Sequence, residues 1–218
     1  VDEPGERDWQ VLLLGGASGS GKSQLSYPLA RHYRVPLVEV DDLVLAVQAM
    51  TTPAQQPMLH YWDTHPDPAS IPVPRVVELQ IAVAEALRPA LEAVIGNHLE
   101  SDTPVIIEGD YLLPALAAQA SFAGQEVAGR VRAVFLHEPD PDQLAVNYLS
   151  REPDEGQQRI RAEVSARYGD WLAATAEAHG IPVIAPRPWT TALSRLSAMV
   201  DHPTAALRPG GRPHRRTS

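Results

Sequence analysis

The chain has 218 residues, enough for one α/β domain with a sizeable core and short for two. Its 18 basic and 27 acidic side chains give −9, and the last sixteen residues, Pro203 to Ser218, hold four arginines and no acid, so the first 202 carry 14 basic against 27 acidic. So acidic a body argues against generic binding to a nucleic-acid backbone, no stretch approaches the roughly 18–20 apolar residues of a membrane span, and the absence of cysteine excludes disulfides, thiolate catalysis and Cys-built zinc sites.

The segment Val1 to Trp9 is polar and charged and shows no secretory signal, so the expectation is a soluble, cytoplasmic protein. The apolar run Trp9–Leu14 reads as a buried strand entering a turn at Gly15-Gly16. A helix over about 21–33 follows, with Leu25, Leu29 and Tyr33 on one face. Pro36–Val40 is a second short strand, closed by Asp41-Asp42, and a short helix from Leu43 to Met50 comes next. Residues 51–74 hold six prolines, which preclude a long helix there. Helical spacing runs from Val77 to Ile95 and is expected to end at Gly96-Asn97. Pro104–Ile107 is a third strand ending in Glu108-Gly109-Asp110, and Val131–Leu136 is a fourth. Asp140-Pro141-Asp142-Gln143 is a helix start, with Asp at the N-cap and Pro at the first position. A long helix covers roughly 155–179, Ile181–Ala185 is a fifth strand and Thr190–Val200 a last helix. Strands alternating with helices predict an α/β three-layer sandwich, with about five parallel strands and helices on both faces. The domain is expected to span 1–202, followed by a disordered Arg/Pro/Gly-rich tail over 203–218.

Seventeen of the 18 basic residues are arginine, and the single lysine is Lys22. It sits where a compact ammonium is not replaceable by arginine's flat fork. Gly16-Ala17-Ser18-Gly19-Ser20-Gly21-Lys22-Ser23 is a complete G-x-x-x-x-G-K-S between a predicted strand and a predicted helix. Glycines let successive backbone N–H groups turn inward around an anion, and the helix N-terminus adds its positive end. Lys22 then reaches β- and γ-phosphates, and the Ser23 hydroxyl is suited to Mg²⁺, with Gln24 beside it. ATP is the expected nucleotide, with GTP as the alternative.

Asp41 and Asp42 are expected at the sheet edge where open α/β folds bind ligands. One carboxylate can accept the proton of an attacking hydroxyl while the other caps the next helix; Asp41 is taken as the inward one. Glu108, at the end of the third strand, is the candidate for orienting Mg²⁺, and Asp110 for the acceptor.

GGASGSGKS, VEVDD, VIIEGDYLLP and ARYGDWLAATAEAHGIPVI, in that order over roughly residues 10–200, resemble the 2-phosphoglycerate kinases and related small-molecule P-loop kinases. The resemblance implies a P-loop kinase fold, ATP and Mg²⁺ held at Lys22 and Ser23, Asp41 or Asp42 serving the acceptor, and Glu108 behind the metal. Two features depart from it: Asp110 intrudes where the family's segment after Glu-Gly is apolar, and the HYWDTH stretch has no counterpart. Chloramphenicol phosphotransferases and shikimate or gluconate kinases share the architecture, so the acceptor is a phosphoglycerate-like metabolite or an antibiotic.

Small kinases close an arginine-bearing lid over the nucleotide. On a helix, Arg159 faces Glu155 and Glu163, Arg167 faces Glu163 and Asp170, and Arg151 faces Asp154 and Glu155. Arg161 has no carboxylate three or four residues away, which makes it the first candidate for phosphate and Arg151 the second. In the Pro-rich segment, His60 and Trp62 are candidates for the acceptor, Tyr61 and Trp62 supplying an apolar wall. The same aromatics can instead plug the loop onto the body, and a metal site at His60, Asp63 and His65 is the weakest reading. The acidic body weighs against a highly anionic acceptor unless arginines such as Arg75 line the pocket.

The reading is a kinase that transfers a γ-phosphoryl group to a hydroxyl of a small molecule. A nucleotide-dependent regulatory ATPase and a nucleoside or nucleotide kinase are the alternatives, and a homodimer stays open.

Overall fold

The structure is a computed structural model that describes residues 7–65 and 70–202, so the expected tail over 203–218 lies outside the described residues. Five strands, β1 (Val11–Gly16), β2 (Leu37–Glu39), β3 (Val105–Gly109), β6 (Val131–Leu136) and β7 (Val183–Ile184), form one sheet in the order β2-β3-β1-β6-β7. Every pairing in it is parallel. The chain leaves β1 to one side and later crosses back to the other, so the carboxyl end of β1 is the switch point where such folds bind ligands.

The pleat of β1 explains the layers. Leu12 and Leu14 face one way and pack with Leu25, Leu29 and Tyr33 of α1 (Lys22–Tyr33) and Ala192, Leu196 and Val200 of α8 (Trp189–Asp201). Val11 and Leu13 face the other way, onto Val83, Leu87, Leu91 and Ile95 of α4 (Val73–Glu100). On that second side α7 (Arg159–Ala178) covers Phe135 through Tyr168, Leu172 and Ala176. The three-layer α/β sandwich with five parallel strands is therefore observed as expected.

Several boundaries move, each for a local reason. The helix expected from Leu43 starts at Val40: α2 (Val40–Met50) takes both Asp41 and Asp42 into its first turn, where acidic side chains suit the helix dipole. The long helix does not stop at Gly96-Asn97 but runs to Glu100. Gly96 is there for close approach, because a Cβ on it would lie 2.7 Å from the Ala123 Cβ. Ala123 belongs to the turn of a small hairpin, β4 (Ser121–Phe122) and β5 (Gln125–Glu126), that no periodicity signalled, as is also true of the short α5 (Pro114–Ala117). Gly96→Val is accordingly expected to lower stability by about 1–3 kcal/mol, the usual cost of overpacking, despite valine's better helix propensity. A urea titration monitored by circular dichroism checks it. The last strand is only two residues long, flanked by Pro182 and Pro186. The expected start at Asp140 is present: its side chain accepts from the Asp142 N–H at 3.0 Å to cap α6 (Pro141–Arg151).

Candidate active site

The phosphate loop leaves β1 and enters α1 as the motif requires. Gly16 has φ +143°, and a Cβ on it would stand 2.5 Å from the Leu136 carbonyl oxygen. Gly21 has φ +91°, and a Cβ there would enter the Trp189 ring at 2.0 Å. Both positions therefore accept only glycine without distortion. Lys22 is 7% exposed and donates to the Ala17 carbonyl at 3.2 Å, so its ammonium is curled beneath the loop. From α6, Asn147 donates to the Gly19 carbonyl at 2.9 Å and fastens the loop from the other side. Ser18, Gly19, Gly21, Lys22, Ser23 and Gln24 line a cleft of about 450 Å³, while Gly16, Ala17 and Ser20 are buried and do not line it.

At the end of the loop, the Ser23 hydroxyl donates to Glu108 Oε1 at 3.1 Å. Glu108 is 5% exposed, and its second oxygen, Oε2, has no hydrogen-bond partner. Burial pushes its carboxyl above the usual range, against the pull of Lys22 and the Ser23 hydroxyl. A hydroxyl and an orphaned carboxylate oxygen beside a loop of inward N–H groups fit a hydrated divalent cation carried by a nucleotide phosphate. Ser23 and Glu108 would hold that ion, Ser23 directly and Glu108 from behind.

The cleft is also acidic. Asp41 lines it together with Glu39 and Asp110; Asp42, one residue on, does not. Both aspartates were expected at a strand end, but β2 stops at Glu39 and they stand in the first turn of α2. A Cβ on Gly109 would meet the Val40 Cβ at 2.4 Å, so glycine there is what lets α2 start directly over β3. Asp41 is pushed above the usual carboxylate range, first by desolvation and then by the Asp110 charge, with Lys22 opposing. Glu39, which the sequence reading did not single out, takes a hydrogen bond from the Tyr27 hydroxyl. Its signal was a lone carboxylate inside the apolar strand PLVEV. The backbone of Asp110 is fixed by the buried Tyr168, whose hydroxyl donates to the Asp110 carbonyl at 2.7 Å.

The arginines fall differently from the expectation. Arg161 is not free: it pairs with Glu152 at 2.7 Å, nine residues away, and its guanidinium lies 4.3 Å over the Tyr148 ring. Helical spacing could not show this, because Glu152 precedes α7 and reaches it across a 3-10 turn over 153–155. Arg151 also meets Glu152, at 2.6 Å, rather than Asp154 or Glu155. Gln158, Arg151 and Arg161 together hold the Glu152 carboxyl down at about 2. Arg159 reaches Asp142 at 3.1 Å instead of Glu155 or Glu163, while Arg167 pairs with Glu163 at 3.4 Å as read. Of these four, Arg151 alone lines the cleft, beside Asn147 and Ser150, two polar residues with no motif to mark them.

His60 and Trp62 do not line the cleft either. The His60 ring is 8% exposed and shares a hydrogen bond with Thr51 Oγ1 at 3.1 Å, because the Pro-rich loop folds back onto the end of α2. Trp62, in α3 (Tyr61–Thr64), meets the Tyr61 ring edge-on at 5.0 Å between centroids. It lines a second cleft of about 510 Å³ with Val76, Gln80 and Arg161, which shares no residue with the first. Among the described residues no group of three or more His, Cys, Asp or Glu could hold a metal ion, so the reading at His60, Asp63 and His65 has no such cluster behind it. Arg75 pairs with Glu78 at 2.7 Å, exposed and outside the cleft.

A parallel sheet in the order 2-3-1-4-5 of its strands, with a complete phosphate loop at its central strand, is a P-loop kinase fold. The chain overlaps shikimate kinase from Acinetobacter baumannii with a TM-score of 0.53 at 10% identity, over 91% of this chain and 97% of that one. It overlaps a sugar kinase from Janibacter sp. HTCC2649 with a TM-score of 0.52 at 15% identity, over 91% and 96%. In sequence it is similar to 2-phosphoglycerate kinase of Methanocaldococcus jannaschii, 24% identical over 181 residues. That match takes in 80% of this chain and 57% of the relative, so the chain spans little more than half of that protein's length. No protein-family model matches. Among the described residues, no helix is long and apolar enough to cross a membrane.

Proposed function

We propose that this protein is a Mg²⁺- and ATP-dependent phosphotransferase acting on a hydroxyl group of a small molecule. The observation that carries the reading is the contact of Ser23, in a complete phosphate loop, with Glu108, beside a cleft that Asp41 also lines. Bound Mg-ATP supplies the phosphoryl group. Lys22 and the loop N–H groups balance its negative charge, and Arg151 covers it from α6. Asp41, its affinity for protons raised by its surroundings, takes the proton of the acceptor hydroxyl as that oxygen bonds to phosphorus and the bond to the departing diphosphate breaks. Ser23 and Glu108 orient the cation, and Asp110 and Glu39 contact the acceptor.

Incubation with Mg-ATP and an extract of metabolites and antibiotics, followed by mass spectrometry, is expected to reveal a species heavier by one phosphoryl group. Asp41→Asn is expected to slow its formation by about 10²–10⁴-fold while nucleotide binding persists. Nucleotide binding without any product would favour a regulatory ATPase that acts through protein partners.

A further inference from the structure

The phosphate loop takes its shape from α6 as well as from its own glycines. Gly19, at φ +77°, has no side chain to favour one orientation of its peptide over another. Two consecutive residues of α6 press on it. A Cβ on Gly19 would meet the Tyr148 ring at 3.0 Å, and Asn147 Nδ2 donates to the Gly19 carbonyl at 2.9 Å. Because the peptide is planar and trans, holding that carbonyl also sets the Ser20 N–H, which donates to the Ala17 carbonyl at 3.2 Å. A carbonyl oxygen is the negative end of its peptide, so committing it to Asn147 keeps it from turning toward a bound phosphate.

Which way Asn147 faces is decided one turn earlier in α6. Its Oδ1 accepts from Gln143 Nε2 at 2.9 Å, so Nδ2 is the group left for Gly19. Gln143 is oriented in turn by Arg187, whose Nη1 donates to Gln143 Oε1 at 3.4 Å. Arginine only donates, so the glutamine presents oxygen to Arg187 and nitrogen to Asn147. The guanidinium is itself fixed as a fork on Glu138, Nε to Oε2 at 2.7 Å and Nη2 to Oε1 at 2.8 Å. Glu138 is 3% exposed and also accepts from the Asp140 N–H at 3.2 Å. One guanidinium thus sets the sense of every bond from Glu138 to Gly19, and reversing Gln143 would bring donor against donor at Arg187. Gln143 does not line the cleft, so it acts there only through Asn147.

On the reading of this loop as the nucleotide site of a phosphotransferase, we infer that Gln143 is a positioning residue for it. Through Asn147 it holds the Gly19 peptide in the orientation that receives phosphate, with the Glu138–Arg187 pair as its anchor.

The test measures Mg-ADP binding to the full chain by calorimetry, beside a thermal melt of each variant. Gln143→Met keeps the size of the side chain and removes both of its bonds. Its Kd is expected to rise about fivefold in a chain that still melts cooperatively. Gln143→Glu is expected to cost more, about tenfold, because a carboxylate only accepts. It keeps Arg187 but draws the Asn147 nitrogen to itself, which turns Oδ1 toward the Gly19 carbonyl. Asn147→Leu, similar in shape and without polar atoms, removes the link. In that background Gln143→Glu is expected to change the Kd by less than about twofold, whereas a direct effect of the new charge on the nucleotide would persist. Unchanged affinity in both single variants of Gln143 overturns the inference and leaves the phosphotransferase reading standing. So does an equal loss from Gln143→Glu with and without Asn147. A native chain that binds no Mg-ADP overturns that reading and the inference with it.

Discussion

Lys22→Met is expected to reduce phosphoryl transfer by about 10³-fold or more, with the fold intact. The ammonium is the one positive side chain buried within the phosphate loop, 7% exposed and already desolvated before nucleotide binds. A preorganised charge of that kind costs no reorganisation as negative charge moves onto the departing diphosphate, and removing one such donor typically costs 10²–10³-fold. Methionine keeps the length of the side chain and loses the charge and the hydrogen bond to Ala17, so the loss is chiefly electrostatic. Lys22→Arg is expected to fail nearly as badly, because the planar fork is a poor substitute for the compact ammonium that donates to the Ala17 carbonyl within the loop. Single-turnover kinetics with labelled ATP, beside a thermal melt of each variant, checks both. A methionine variant with near-normal turnover would remove the phosphate loop from the chemistry altogether.

Glu108→Gln is expected to act in opposite directions on activity and on stability. Glu108 is 5% exposed with one oxygen unpartnered, and burial raises its carboxyl above the value it has in the unfolded chain. Between the ordinary carboxylate range and that raised value the folded protein holds more protons than the unfolded one, so stability falls as pH rises through the window. At neutral pH the charge is a burden that the site keeps for its ligand. The glutamine variant removes the buried charge, and is expected to melt higher than the native protein at neutral pH in the ligand-free state and to flatten that part of the pH profile. Its phosphoryl transfer is expected to drop by about 10²-fold, and the stabilisation that Mg-ATP gives the native protein to shrink. Melting temperatures at pH 5 and pH 8, with and without Mg-ATP, read all of these effects. Equal melting temperatures for variant and native protein at both pH values would mean that the orphaned oxygen carries no strain.

The same two residues mark how far the chain could be read before its fold was seen. Lys22 announced itself: a lone lysine among arginines, inside a motif whose spacing is dictated by local backbone geometry around an anion. Glu108 was legible as a strand-end carboxylate in a block resembling small-molecule kinases, but the hydrogen bond to its Oε1 comes from Ser23, 85 residues away, and no local pattern shows it. Asp41, taken as the inward of the two aspartates, lines the cleft while Asp42 does not, but it stands in the first turn of a helix and not at a strand end. Arg161 was read as lacking a carboxylate partner because local spacing is blind to Glu152, which a turn carries back to it, whereas the pair of Arg167 with Glu163 followed from spacing.

By itself the sequence determined whatever rests on neighbours within a few residues: five strands, their helices, the cap at Asp140 and the phosphate loop. Propensity, periodicity and glycine's freedom at positive φ all act at that range. The tertiary structure alone decided the acidic wall of the cleft. It brought Glu39 and Asp41 together with Asp110 through the close passage of Gly109 against Val40, and it drew His60 and Trp62 away from them. Which side chains share a wall depends on packing between elements distant in the chain, and that packing leaves no period in the sequence.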